Sequence, residues 1–242
     1  MAQTSSGIEN PAWKALYKLG GIAALVAVFI FRRNLSAELM AFQGFGLFDV
    51  PGVAPIRAAE WFMLLQRDWF VGLTLLGVFD LVEYALVGLL FLALYAALKQ
   101  ANRSTMLLAV ACGLAGIAVA FASNQGFAML SLSEQYAAAA TDTQRAMFLA
   151  AGEALLAINA GAGGYISLFL VLLAGLLISI VMLRGDTFGK ATAYVGILAN
   201  GVGLCYFLAL AFVPAINWLP PTLSAPFRVI WYFLIARKLF QL

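Results

Sequence analysis

The segment that decides the fold is WFVGLTLLGVFDLVEYALVGLLFLALYAAL, residues 69–98. Its only charged residues are Asp80 and Glu83, and it exceeds the roughly 20 residues that cross a bilayer, so it predicts a tilted span. A carboxylate at the bilayer centre costs roughly 2.5 to 3.5 kcal/mol on insertion scales. Two acids three residues apart lie on one side of a helix. We therefore expect that a partner group, a shared proton or a water-filled cavity stabilises the two acids in the membrane.

The composition predicts a membrane protein. The chain is 64% hydrophobic and 10% charged, whereas soluble domains are about 45–50% apolar and about 25% charged. The net charge is only +3 and there is no dense Lys/Arg tract, so we expect no nucleic-acid partner. The chain has no His, which removes the usual ligand of heme and zinc and the usual neutral-pH general base. We predict no metal, no cofactor and, on balance, no enzymatic activity.

Apolar runs predict an all-α, polytopic transmembrane helical bundle in one integral-membrane domain, 1–242. About six spans are expected, at residues 15–31, 69–98, 104–122, 165–183, 191–213 and 225–240. Lys and Arg occur in the short connections between spans two and three and between spans four and five. Because cytoplasmic loops are enriched in these residues, both termini are predicted to be cytoplasmic.

Two long connections are predicted on the opposite side of the membrane. The first, residues 34–68, carries apolar patches at 39–42 and 61–65 that predict short interfacial helices. The second, residues 124–164, predicts an outer helical cap.

In this cap, one helix is expected over residues 125–140 as a continuation of span three. Another is expected to begin at Thr141 or Asp142 and to run to about Asn159. The glycine-rich run 161–164 would then break the helix before span four. Near span six, Pro220 and Pro221 predict a tight external turn.

The candidate site centres on Asp80 and Glu83, with Tyr84 beside them. Two interpretations are open. Either the acids form a proton-coupled or cation site, in which one of them holds a proton, or they are structural and bond to polar groups of neighbouring helices.

Asn200 and Arg228 are further candidates. Asn200 lies mid-span among glycines, where it would either bridge closely packed helices or serve as partner to an acid of span two. Arg228 would snorkel to the surface, pair with an acid or contact a substrate. Cys112 and Cys205 are interpreted as small core residues, and they could form a disulfide only if their helices touch.

Three motifs resemble a known family. They are VMLRGDTFGK at 181–190, YVGILAN at 194–200 and PFRVIWYFLIARKLF at 226–240, with Asn124-Gln125 at the end of span three. This pattern is similar to the prokaryotic integral-membrane family catalogued as domain of unknown function 4386, over nearly the whole chain. The resemblance implies a multi-span protein of a prokaryotic cell membrane. It implies no activity, cofactor or catalytic residue.

The leading hypothesis is a protein that binds or moves a small amphiphile or ion, such as a cation, in a bundle cavity at Asp80 and Glu83. Membrane lipid would surround it. The alternative is a structural or assembly subunit without a ligand, bound to a membrane-protein partner or forming a homo-oligomer. A weaker alternative is a membrane enzyme that uses either acid on a lipid-like substrate.

Overall fold

The computed structural model describes residues 11–30, 51, 55–159 and 161–242. Of this described part, 86% is helical and none is in a strand, which confirms the all-α prediction. The interfacial helix predicted at 39–42 lies outside the described residues.

The helices fall close to the predicted segments, and the described residues include two short helices between the first long helix and the next. They are α1 (Pro11–Ile30), α2 (Ala58–Arg67), α3 (Trp69–Leu75), α4 (Val78–Leu98), α5 (Arg103–Ser123), α6 (Gly126–Ala138), α7 (Asp142–Asn159), α8 (Ala162–Arg184), α9 (Lys190–Phe212) and, after a 3-10 turn at Pro214–Ile216, α10 (Leu219–Leu239).

Four helical segments of the described part are long and apolar enough to cross a membrane. They are Val78–Leu98, Arg103–Ala138, Asp142–Arg184 and Lys190–Phe212. The 21 residues of α4 rise about 31 Å at 1.5 Å per residue, which matches a hydrocarbon core of about 30 Å. These segments fit a multi-pass membrane protein, while the six-span topology stays a prediction.

The chain divides into two compact units. The first, which we call the bundle unit, contains α1, α4 from Glu83, α5 to Ala118, α8 from Ile166, α9 and α10. The second, the short-helix unit, contains α2, α3, the start of α4, the end of α5, α6, α7 and the start of α8.

Large apolar side chains fill the core of the bundle unit. Phe91, Met106, Ile178 and Met182 are all buried there. Small residues let the helices approach, since Gly20 of α1 lies directly against Ala93 of α4.

The short-helix unit has its own core. Trp61 and Phe62 of α2 pack with Val71 of α3 and Met129 of α6. The backbone N–H of Ala58 donates to the Glu153 carboxylate of α7 at 2.9 Å, and the Gln66 side chain donates to the Ser133 carbonyl of α6 at 2.9 Å. These two hydrogen bonds therefore hold α2 against α6 and α7.

The start of α7 confirms the predicted helix boundary. The Thr141 hydroxyl accepts from the Gln144 N–H at 3.2 Å, while the Gln144 side-chain oxygen accepts from the Ala140 and Thr141 N–H groups. This reciprocal arrangement satisfies N–H groups that a helix start leaves without intrahelical partners.

The predicted span at residues 69–98 is two helices rather than one. The break falls at Gly77, whose φ of +78° lies in the left-handed region that glycine adopts at no steric cost. Just before it, the Thr74 hydroxyl donates to the Phe70 carbonyl at 2.7 Å, a bond that tends to bend helices. Asp80 and Glu83 consequently lie in the first two turns of α4, not in the middle of a long span.

The prediction of an external turn at Pro220-Pro221 is also wrong, because these prolines lie in the first turn of α10. A first-turn residue has no intrahelical acceptor for its N–H, so proline loses nothing there. As a result α10 begins six residues before the predicted span, and Arg228 lies in the middle of the helix.

Candidate functional site

Asp80 belongs to the short-helix unit, where it folds back over the helix break. One carboxylate oxygen, Oδ2, is 2.9 Å from the position that a Cβ on Gly77 would occupy. The side chain is exposed and lies in the first turn of α4. An acid at a helix N-terminus is stabilised by the helix dipole, so this location needs no ligand to explain it.

Asn124 bridges two helix breaks inside the short-helix unit. Its side-chain N–H₂ donates to the carbonyls of Leu76 and Gly77 at 3.4 and 3.0 Å, which follow α3. Its Oδ1 accepts from the Gly126 N–H at 3.1 Å, which opens α6. One amide thus satisfies backbone groups at both breaks, as irregular backbone at membrane depth requires.

A second group of polar residues lies in the bundle unit and brings together α4 and α10. The side chains of Glu83, Tyr84 and Arg228 lie within electrostatic range of the Tyr232 hydroxyl. We call Glu83, Tyr84, Arg228 and Tyr232 the polar centre. Glu83, Arg228 and Tyr232 each take part in at least one hydrogen bond, ion pair, ring contact or electrostatic interaction.

Arg228 is the most buried charged side chain in the described part of the chain, with 9% of its surface exposed. Of the three alternatives for Arg228, snorkelling to the surface does not fit this burial. Its Nη2 lies 3.5 Å from the Cβ position of Gly203 on α9, so the guanidinium reaches between α9 and α10.

Asn200 has the contacts of a packing residue. Its side-chain N–H₂ donates to the Gly196 carbonyl one turn earlier at 2.8 Å, and its Oδ1 lies directly against Gly175 of α8. Only 4% of Asn200 is exposed. The close contact with Gly175, rather than the bond within α9, supports the interpretation of Asn200 as a residue between closely packed helices.

Trp231 is a buried residue that the sequence interpretation missed. It is 1% exposed, and its indole Nε1 and the Ser179 Oγ both lie against Gly196. Among the residues that the structure describes, no acceptor bonds to this Nε1. A signal was available, since Trp231 and Tyr232 follow Arg228 by three and four residues and so share its side of α10.

The two cysteines are free thiols in the described part. Cys112 is half-buried, as a small core residue would be, but Cys205 is exposed. The prediction of a core role is therefore wrong for Cys205, whose thiol donates to the Gly201 carbonyl of its own helix at 3.4 Å.

The chain matches no protein-family model, and neither a curated protein nor a solved structure shows significant similarity to it. The resemblance to the prokaryotic family of unknown function consequently stays a prediction.

Proposed function

We propose that this multi-pass membrane protein binds a small charged amphiphile or ion inside its bundle unit, at the polar centre. The observation that carries the proposal is the burial of Arg228, which is only 9% exposed, in the middle of α10. Ionisable residues inside a membrane bundle are costly, and they commonly mark substrate or ion pathways.

The chemistry of the polar centre favours an amphiphile with a polar head. Glu83 on α4 and Arg228 on α10 offer an acceptor and a donor of opposite charge, and the hydroxyls of Tyr84 and Tyr232 serve as either. The surrounding core is aliphatic and aromatic, which suits the apolar part of such a molecule. A zwitterionic head would use both charges.

The proposed topology places α1, α4, α5, α8, α9 and α10 across the membrane, with both termini in the cytoplasm of a prokaryotic cell. In support, each of the six predicted spans overlaps one of these helices, and six spans return the chain to its starting side. Residues 124–164 would form the outer helical cap. Reporter fusions after Leu98 and after Arg184 test this arrangement, since both fusion points should be cytoplasmic.

The binding proposal is tested by purifying the protein in mild detergent and identifying its co-purifying small molecules by mass spectrometry. We expect a specific molecule with the wild type that is lost in Glu83→Gln and in Arg228→Gln. Arg237→Gln is the matched control, because Arg237 lies on the same helix but is exposed. Asp80→Asn shows whether the other acid of α4 contributes to the site.

A structural subunit is the second candidate. It is favoured by the contacts of Asn200 with Gly175 and of Trp231 with Gly196, which are contacts of helix packing. If all variants carry the same bulk lipid as the wild type, while Glu83→Gln and Arg228→Gln lower thermal stability, the binding proposal fails and the structural role replaces it.

A further inference from the structure

One end of the bundle unit has a large excess of positive charge. Three segments, residues 13–18, 99–103 and 184–190, hold six of the 14 bases of the chain and one of its 11 acids, Asp186. The rest of the chain therefore has more acids than bases. The six bases are Lys14, Lys18, Lys99, Arg103, Arg184 and Lys190, and we call this surface the basic end.

Contacts between the three segments gather these charges on one surface. The Lys99 ammonium lies 4.0 Å above the centre of the Trp13 ring, which joins the α4–α5 connection to α1. The Thr187 hydroxyl donates to the Ala97 carbonyl at 3.5 Å, which joins the α8–α9 connection to the end of α4. A Cβ on Gly185 would be 3.0 Å from the methyl of Ala101.

The local sequence does little to neutralise this charge. Arg103 begins α5 and Lys190 begins α9, and neither helix has an acid in its first turn. A base at the first position of a helix is repelled by the helix dipole. Both side chains are exposed, so an anion from outside the protein can approach them and relieve the repulsion.

We propose that the basic end binds the phosphate headgroups of anionic phospholipids. Residues 13–18 lie in the first turns of α1, and the other two segments connect membrane-length helices, so we place their charges at the depth of the headgroups. Trp13 lies beside Lys99, and tryptophan is enriched at this membrane interface. Clusters of Lys and Arg next to membrane spans attract anionic lipid.

Membrane topology alone would also favour bases at one end, but it does not require a retained lipid. Selective lipid binding that depends on particular bases separates the two explanations. The proposal does not depend on the polar centre, because the variants that test it leave Glu83 and Arg228 in place.

The test compares phosphatidylglycerol with phosphatidylcholine of the same acyl chains, added to the purified full-length protein and measured by native mass spectrometry. Each base near an anionic surface contributes about a fivefold gain in affinity. Arg103→Gln with Lys190→Gln should therefore weaken phosphatidylglycerol binding about 25-fold and leave phosphatidylcholine binding unchanged. Arg57→Gln with Arg145→Gln is the matched control, since it removes two exposed bases of the short-helix unit.

Equal binding of the two lipids by the wild type would overturn the proposal, as would equal losses in the two double variants. Displacement of phosphatidylglycerol by excess inorganic phosphate would point to a free anion instead of a lipid, and would overturn it as well. Circular dichroism and gel filtration of each variant confirm that the fold is kept.

Discussion

Substitution of Gly196 by alanine should destabilise the bundle unit, because the new methyl group has no space. It would overlap the Ser179 Oγ of α8 and the Trp231 Nε1 of α10, and would lie 2.7 Å from Trp231 Cε2. Ser179 is fully buried and Trp231 is 1% exposed, so neither can turn out of the way. Helices α8, α9 and α10 would have to separate.

The magnitude follows from two opposing effects. Forcing an extra methyl group into a packed core costs about 1–3 kcal/mol. The better helix propensity of alanine offsets about 1 kcal/mol of that cost. We expect a net loss of about 1–2 kcal/mol in the free energy of unfolding, measured by SDS titration in mixed micelles and followed by circular dichroism.

Gly201→Ala is the matched control on the same helix. The nearest side-chain atom to its new Cβ is 4.0 Å away, on Leu176, so this variant should be neutral or slightly stabilised. Adding Ser179→Ala to Gly196→Ala should recover about 1 kcal/mol, since the two sites are in contact and do not add independently. Equal stability of the two glycine variants, or no recovery on removing the hydroxyl, would refute the reasoning.

Three further perturbations test the short-helix unit. Gly77→Ala forces a side chain into the left-handed region and should lower the free energy of unfolding by about 1–2 kcal/mol in the same titration. In the control Gly164→Ala the new Cβ meets nothing within 4 Å, so the free energy of unfolding should not change. Equal values for the two variants would contradict the steric argument. Asn124→Ala removes the side-chain hydrogen bonds to the backbone at both breaks and should lower the free energy of unfolding by about 1–3 kcal/mol. Hydrogen exchange at the Gly126 N–H should become faster. Unchanged exchange would contradict the role of Asn124 in joining the two breaks. The Glu60 carboxylate accepts from the N–H groups of Ile56 and Arg57, and these bonds lower its pKa below the ordinary 4.5. The carboxylate therefore stabilises the α2 N-terminus fully above pH 4.5. This stabilisation is lost as the pH falls through the lowered pKa. Hydrogen exchange at the start of α2 should show this loss in the wild type but not in Glu60→Gln, and the same pH response in both would exclude Glu60 as its cause.

The long helices could be predicted because their signal is local. A run of apolar residues of sufficient length satisfies its own backbone hydrogen bonds as a helix in any apolar surroundings. The start of α7 was equally local, since Thr141 and Gln144 lie three residues apart and cap the helix reciprocally. Features of this kind depend on neighbours that the sequence displays together.

The break at Gly77 was not predictable in the same way. The segment 69–98 contains three glycines, and glycine is frequent in membrane helices, so none of them alone indicates a break. The break at Gly77 is stabilised by Asn124, which lies 47 residues away in the sequence. Its side-chain N–H₂ donates to the carbonyls of Leu76 and Gly77. A partner so distant in sequence cannot be chosen without the tertiary structure.

The position of Arg228 depended on how two prolines were interpreted. Pro220-Pro221 fits a turn and also fits the first turn of a helix, because neither location needs the missing N–H. The second interpretation is correct here, and it moves Arg228 from the end of a span to the middle of a helix. An arginine that could have reached the surface is therefore a buried charge, and only the structure adds Tyr232 to the candidates Glu83, Tyr84 and Arg228.

Asn124 and Asn200 show how the same residue takes different roles in apolar surroundings. Both were visible in the sequence as amides among apolar and small residues. Asn200 donates to the carbonyl one turn earlier in its own continuous helix, so its bond adds nothing that the backbone lacks, and its importance comes from close packing on Gly175. Asn124 lies beside a broken helix, where its side-chain N–H₂ donates to the Leu76 and Gly77 carbonyls and its Oδ1 accepts from the Gly126 N–H. The helix breaks nearby, rather than the amide itself, therefore decide whether an asparagine in these surroundings packs helices together or bonds to the backbone at a break.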